Sequence, residues 1–117
     1  MREIGSTKMA KSNLYKIEFY VPETHLEAVK NVMFEAGAGK VGAYDSCAWQ
    51  TLGHGQFRPN KSSDPYLGTK GSVETVSEFK VEMVCDESVL SKVILALKES
   101  HPYEEVAYSV IQLWSDD

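Results

Sequence analysis

The chain has 117 residues, 43% of them hydrophobic and 25% charged, which is typical of a single soluble globular domain. Its net charge of −5 argues against a nucleic-acid or membrane partner, because either surface would require clustered lysine and arginine. The sequence has neither a signal-like leader nor a run of roughly 18 apolar residues. Two cysteines are too few for a disulfide scaffold. Together these features predict a cytoplasmic protein.

The chain begins with a polar segment that lacks both the helical and the strand period. Residues 1–13 are therefore predicted to be a flexible tail, and residues 14–117 a single domain. From Tyr15 to Val21 apolar residues alternate with charged ones, which predicts a half-buried strand. Pro22 ends that strand and opens a helix with one apolar stripe.

Glycines mark the next boundaries. Gly37 and Gly39 end the first helix. A second strand is predicted over roughly residues 43–52, followed by a bend or bulge at Gly53 and Gly55 and a short strand over residues 56–58. The first half of the chain is thus predicted as strand, helix and a strand that bends.

The second half repeats this alternation after a long loop rich in proline, glycine and serine, residues 59–72. Alternating residues predict a third strand up to Cys85, and a wide apolar stripe predicts a helix that stops at Pro102. The last strand, residues 105–114, is apolar on both faces. The order βαββαβ predicts an α+β, ferredoxin-like fold with both helices on one face of an antiparallel sheet.

The apolar surplus on the last strand predicts an assembly. Helices cover only one face of such a sheet, so they cannot reach all of Val106, Tyr108, Val110 and Trp114. An exposed apolar patch of a few hundred Å² usually marks a contact surface. We therefore expect self-association through the open sheet face or through the sheet edges.

Three pieces of sequence carry a family resemblance: AGAGKVGAY, the CAW and GHGQFRP pieces that follow it, and HPYEE. Over roughly residues 14–113 the chain resembles the inserted domain of the YqfO-type, Nif-three-like proteins, here as a free-standing chain. That domain is similar in fold to the PII signal-transduction proteins and the CutA divalent-cation-tolerance proteins, and CutA-type chains also carry an HPYE stretch.

The resemblance implies a PII/CutA-like fold in a homo-oligomer, with a trimer favoured. It supplies no activity, because the two-metal centre of the full-length Nif-three-like proteins belongs to flanking domains whose ligands have no counterpart in this sequence. We therefore expect a module without catalytic activity, and no catalytic residue is assigned.

The HPYEE stretch has two interpretations. His101 and Glu104 could bind a divalent metal ion, in line with the CutA resemblance. In the structural interpretation, which we favour, Pro102 ends the helix, His101 bonds its last carbonyls and Tyr103 packs. Glu104 and its neighbour Glu105 would point to opposite faces of an extended segment, which argues against paired ligands.

Cys47 and His54 are further candidate metal ligands. Cys47 is predicted to lie on the second strand, buried and inert beside Trp49. His54 lies seven residues further on, hence on the opposite face unless the glycines around it form a bulge. A metal shared by Cys47, His54 and His101 would require that bulge, or ligands from more than one subunit.

A candidate ligand site combines the glycine-rich hairpin with the long loop. Gly53, Gly55 and Arg58 lie there, and by analogy with PII proteins the cleft could receive a phosphate or another small anion. With Tyr103 of HPYEE, these residues form the predicted ligand site at a subunit interface.

The function expected is that of a sensor or binding module for a small ligand or divalent cation. Two alternatives stay open: a structural or protein-interaction module with no ligand, and a metal-assisted hydrolase. Neither a GxSxG elbow nor a triad spacing favours nucleophilic catalysis.

Overall fold

A computed structural model describes residues 9–116 and shows one four-stranded sheet with two helices. The strand order is β2-β3-β1-β4, and every pair of neighbours is antiparallel. The elements are β1 Met9–Val21, α1 Glu23–Glu35, β2 Trp49–Phe57, β3 Glu74–Asp86, a 3-10 turn Glu87–Val89, α2 Leu90–Ser100 and β4 Tyr108–Asp116. The predicted α+β, ferredoxin-like fold is confirmed.

The core lies between the helices and one face of the sheet. The alternation along β1 and β3 places every second side chain on that face, where the apolar stripes of α1 and α2 cover it. The fully buried side chains are Ile17, Phe19, Val21, Val29, Met33, Val81, Val93 and Leu97. The strand period and the helix period therefore supply the two sides of a single core.

Two glycines shape the end of α1. Gly37 has a φ of 117°, a left-handed conformation that glycine adopts without strain, and its N–H bonds the carbonyl of Phe34. At Gly39 (φ 79°) the N–H donates to the Val84 carbonyl at 2.8 Å. A Cβ at Gly39 would lie 2.7 Å from the Phe34 ring, so this close approach requires glycine. The predicted C-terminal glycines are confirmed.

The strand boundaries differ from prediction in two places. Residues 9–13, assigned to the flexible tail, form the start of β1, where Met9 pairs with Asp116 of β4; residues 1–8 lie outside the described residues. The second strand predicted over residues 43–52 is correct only for residues 49–52, and the predicted bend at Gly53–Gly55 is wrong. Strand β2 runs from Trp49 to Phe57 in unbroken register with β3, because long-range pairing keeps the glycines extended.

The last connection also differs from prediction. Residues 102–105 form bends, and β4 begins at Tyr108, three residues later than the predicted start of the last strand. Val106, one of the four residues that the helices were not expected to cover completely, packs against the core. The argument that Glu104 and Glu105 alternate on a strand therefore does not apply.

The face of the sheet without helices is charged at its centre. Lys16 lies 2.6 Å from Glu82 and 3.3 Å from Glu18, and Lys80 lies 3.5 Å from Glu18. Six of the exposed apolar side chains lie on the edge strands: Trp49 and Leu52 on β2, and Tyr108, Val110, Ile111 and Trp114 on β4. Much of the apolar surplus expected on the last strand is thus exposed at one edge of the sheet.

The molecule is elongated, with extents of 58 × 29 × 23 Å. Its radius of gyration of 17.1 Å exceeds the value of about 13 Å for a compact domain of this size. The sheet explains the difference: at one end β1 and β4 extend past β3, and at the other β2 and β3 extend past the end of β1.

Two leucines on α2 test the assignment of the core. Leu97 is fully buried, whereas Leu95 is 55% exposed on the same helix. We expect Leu97→Ala to lower the free energy of unfolding by about 2–5 kcal/mol, because it leaves a cavity in the core. Leu95→Ala should change it by no more than about 0.5 kcal/mol. Urea unfolding followed by circular dichroism measures both, and equal losses would contradict this core.

Candidate ligand-binding pocket

A pocket of about 340 Å³ lies where three segments meet. They are the loop after β2, the extended ends of β2 and β3, and the bends after α2. Its lining residues are Gln56, Phe57, Arg58, Pro59, Asn60, Ser63, Pro65, Tyr66, Leu67, Glu78, Tyr103, Glu104, Glu105 and Ala107. Three of the predicted site residues, Arg58, Tyr103 and Glu104, are therefore brought together.

The long loop folds back over the pocket. The carboxylate of Glu104 accepts the backbone N–H of Asp64 at 2.7 Å and 3.3 Å from its two oxygens. The Gly71 N–H donates to the Pro59 carbonyl at 2.6 Å and closes the base of the loop. Glu104, predicted as a metal ligand, thus bonds the backbone of the long loop in this structure.

His101 has both ring nitrogens in hydrogen bonds. Its Nδ1 accepts the backbone N–H of Tyr103 at 3.1 Å, so Nε2 carries the proton and donates to the Tyr20 carbonyl at 2.6 Å. Burial lowers the pKa of His101, and the neighbouring His25 adds to this effect, while the bond to Tyr20 opposes it. This arrangement supports the structural interpretation of His101, because no ring nitrogen is left for a metal.

Tyr103 and Glu78 form the polar part of the pocket. The Tyr103 hydroxyl donates to a carboxylate oxygen of the half-buried Glu78 at 3.3 Å. Burial raises the pKa of Glu78, and the hydrogen bond from Tyr103 only partly offsets the rise. Burial, together with the charge of Glu78, raises the pKa of Tyr103 to about 12. Tyr103 therefore remains a neutral hydrogen-bond donor at physiological pH.

Glycine in β2 makes room for that carboxylate. A Cβ at Gly55 would collide with Oε1 of Glu78, whereas a Cβ at Gly53 would meet nothing within 4 Å. Neither of the two glycines predicted at the ligand site lines the pocket, but Gly55 leaves room for the carboxylate of Glu78, which does line it.

Cys47 and His54 lie outside this pocket. His54 is exposed in the middle of β2, opposite Ser77. Cys47 precedes β2 and is half-buried, and its N–H donates to the Gly39 carbonyl at 2.8 Å. Within residues 9–116 no three histidine, cysteine, aspartate or glutamate side chains are grouped to hold a metal. The predicted metal ligands do not form a site within the described part of one chain.

Glu78 and Tyr66 are pocket residues that the sequence does not single out. Glu78 lies among the polar residues of an alternating strand, and Tyr66 lies in the long loop. The Tyr66 ring packs against Tyr103, with centroids 6.2 Å apart, and against His25 at 5.9 Å. Gly55, which leaves room for the Glu78 carboxylate, is the available signal, since a strand glycine often marks a close approach.

Comparison with known proteins identifies relatives of the chain. It is 40% identical over 101 residues to a GTP cyclohydrolase 1 type 2 homolog of Halalkalibacterium halodurans, covering 86% of this chain and 27% of that protein. The homolog of Bacillus subtilis is 42% identical over 97 residues, covering 83% and 26%. The chain is homologous to one part of these proteins. It spans about a quarter of the length of the curated relatives it matches.

Solved structures agree with this relationship. A Bacillus cereus protein related to NIF3 superposes with a TM-score of 0.75 at 36% identity, over 92% of this chain and 29% of that chain. The predicted resemblance to the Nif-three-like proteins is thereby confirmed. No family model matches the chain.

More distant structures support the fold alone. CutA from Xylella fastidiosa superposes with a TM-score of 0.65 at 19% identity, over 87% of this chain and 85% of that chain. Bacillus subtilis GlnK gives 0.59 at 16% identity, over 87% and 86%. The predicted PII/CutA-like fold is confirmed. Neither helix in the described part of the chain has the length and apolar character needed to cross a membrane.

The buried His101 should make stability depend on pH. Its pKa in the folded chain is lower than the ordinary value of 6.5, so the unfolded chain binds the proton first as pH falls. Stability is therefore fully present above pH 6.5 and decreases as pH falls through the lowered pKa. Urea unfolding between pH 8 and pH 5 should give a steeper pH dependence for the parent than for His101→Ala.

The matched control for this measurement is His54→Ala, because His54 is exposed on β2. We expect this variant to keep the pH dependence of the parent. An identical pH dependence in the parent and in His101→Ala would contradict the assigned role of the buried ring.

Proposed function

We propose that the chain is a PII/CutA-like binding module that holds a small ligand in the pocket between the long loop and Tyr103. The observation that supports this most is the pocket itself, which combines apolar walls with a few polar groups, as ligand sites generally do. Its volume of about 340 Å³ fits a small molecule.

We further propose that copies of the chain associate through the edge strands, with a trimer favoured by the PII/CutA resemblance. Ile111 on β4 is 45% exposed and Leu52 on β2 is 63% exposed, and within residues 9–116 each of these strands has one edge that pairs with no other strand. Exposed apolar edges are prone to pairing with another chain. The pocket lies at the end of the sheet where β2 extends, so a neighbouring copy could complete its wall.

A divalent cation is a less supported ligand. Its ligands would have to come from more than one chain, because the described residues of one chain contain no suitable group. We propose no catalytic role, since the relatives named as GTP cyclohydrolase homologs are about four times longer than the matched region. Metal-assisted hydrolysis is therefore the weakest alternative.

A protein-interaction module without a ligand is the second candidate. Trp49 and Tyr44 are 68% and 76% exposed, near the start of β2. Large exposed aromatic side chains are typical of protein contact surfaces. In that case the edge strands would contact a partner protein, and the pocket would stay without a ligand.

Thermal unfolding with a defined panel tests the pocket. The panel contains the standard amino acids, ATP, GTP and the chlorides of Mn(II), Zn(II) and Cu(II). A ligand at roughly 100 times its Kd stabilises the folded state by about 2.7 kcal/mol, which raises the Tm by several degrees. We expect at least one compound to do so for the parent and for Gly53→Ala.

The same compound should lose its effect on Gly55→Ala, because the new Cβ displaces the Glu78 carboxylate. Gly53→Ala is the matched control, since its Cβ has open space around it. The pocket proposal fails if no compound raises the Tm of the parent, or if both variants respond alike.

Static light scattering tests the assembly. Ile111→Lys places a charge on the exposed apolar edge of β4, so we expect the mass to fall towards that of a single chain. Leu95→Lys is the control, because Leu95 is exposed on α2 and belongs to neither edge strand. A parent that has the mass of one chain at micromolar concentration would rule out the proposed oligomer.

A further inference from the structure

The pocket contains two opposite charges that are not paired with each other. Glu78 and Arg58 both line it, yet within residues 9–116 no carboxylate lies within 4.0 Å of the Arg58 guanidinium. Glu78 likewise has only the Tyr103 hydroxyl as a side-chain partner among these residues. A partly buried carboxylate without a cation is unfavourable, which agrees with the raised pKa of Glu78.

The walls between these charges are apolar and aromatic. The Phe57 and Tyr66 rings both tilt towards Tyr103, at interplanar angles of 46° and 48°. Pro65 and Leu67 add aliphatic surface. A ligand that fits must therefore present an apolar body together with one positive and one negative group.

We propose that the pocket binds an apolar α-amino acid, with its ammonium group on Glu78, its carboxylate on Arg58 and its side chain against Phe57, Tyr66 and Tyr103. This inference rests on the proposed function and specifies its ligand class. Such a ligand supplies the missing partner to both charges, and it is small enough for a pocket at the lower end of the usual range of ~300–1,000 Å³.

The other charges of the pocket are compatible with this assignment. The Glu104 carboxylate accepts a hydrogen bond from the N–H of Asp64, and Glu105 is exposed. Glu78 is thus the carboxylate that is both half-buried and free of a backbone partner. An ammonium group binds the ionised form of Glu78, so affinity should fall as pH is lowered through the raised pKa of Glu78.

The test is isothermal titration calorimetry of the full chain with three matched probes. L-phenylalanine carries both charges, 2-phenylethylamine lacks the carboxylate, and 3-phenylpropionate lacks the ammonium group. A charge-assisted hydrogen bond contributes about 1.5–3 kcal/mol, so each truncated probe should bind about ten- to a hundredfold more weakly than L-phenylalanine.

Two variants assign each charge to its partner. Arg58→Gln should weaken L-phenylalanine binding by about tenfold or more and leave 2-phenylethylamine unchanged. Glu78→Gln should weaken L-phenylalanine and leave 3-phenylpropionate unchanged. Lys92→Gln and Glu99→Gln, exposed on α2, are charge-matched controls that should bind like the parent.

The outcomes separate this inference from the proposed function. If 2-phenylethylamine binds as tightly as L-phenylalanine, the pocket recognises cations and the amino-acid inference is wrong. If no amino acid binds while ATP, GTP or a metal ion stabilises the parent and not Gly55→Ala, the inference is wrong and the pocket proposal stands. If no compound binds at all, both fail.

Discussion

The bond from His101 to the Tyr20 carbonyl links the end of α2 to the end of β1, and the pocket depends on that link. The Nε2–O distance is 2.6 Å, and Nδ1, the second ring nitrogen, accepts a hydrogen bond from the Tyr103 N–H. Tyr103 is therefore fixed three residues after the end of α2, where its ring packs against the His101 ring with centroids 4.8 Å apart and its hydroxyl donates to Glu78. Leaving a buried carbonyl without a donor costs about 1–3 kcal/mol. The Tyr20 carbonyl is partly buried, so loss of its bond to the His101 ring destabilises this wall of the pocket. Both ring nitrogens of His101 are therefore used to hold the segment that forms one wall of the pocket.

The fold could be predicted wherever the information is local. The alternation in β1 and β3, the stripes of α1 and α2, and the glycines after α1 each follow from neighbouring residues, and all are confirmed. The predicted strand boundaries were wrong where pairing with a strand distant in sequence determines the local conformation. Met9 is extended because Asp116 pairs with it, and no local pattern announces that partner. Gly53 and Gly55 stay in a regular strand because β3 holds their register, although isolated glycines usually indicate a bulge.

The residues of the pocket could likewise be predicted only where the information is local. Arg58 and Tyr103 were predicted because each stands in a distinctive stretch, and both line the pocket. Glu78 is one of several polar residues in an alternating strand, and no local pattern indicates its hydrogen bond with Tyr103, which is 25 residues away. The favoured structural interpretation of His101 named the last carbonyls of the helix as partners of the ring, whereas the ring bonds the Tyr20 carbonyl and the Tyr103 N–H. A resemblance to a metal-tolerance family made the histidine conspicuous, but the hydrogen bonds determine its role.

The elongated outline has a practical consequence for anyone counting subunits. Friction on a moving particle grows with its departure from a sphere, and this molecule is twice as long as it is wide, at 58 Å against 29 Å. On a sizing column it should travel with globular standards of larger mass, even as one chain. The two-stranded extensions at its ends account for this drag. They are β1 with β4 at one end and β2 with β3 at the other, and they add length while enclosing almost no interior. An early elution peak would therefore mimic an oligomer that the chain had not formed.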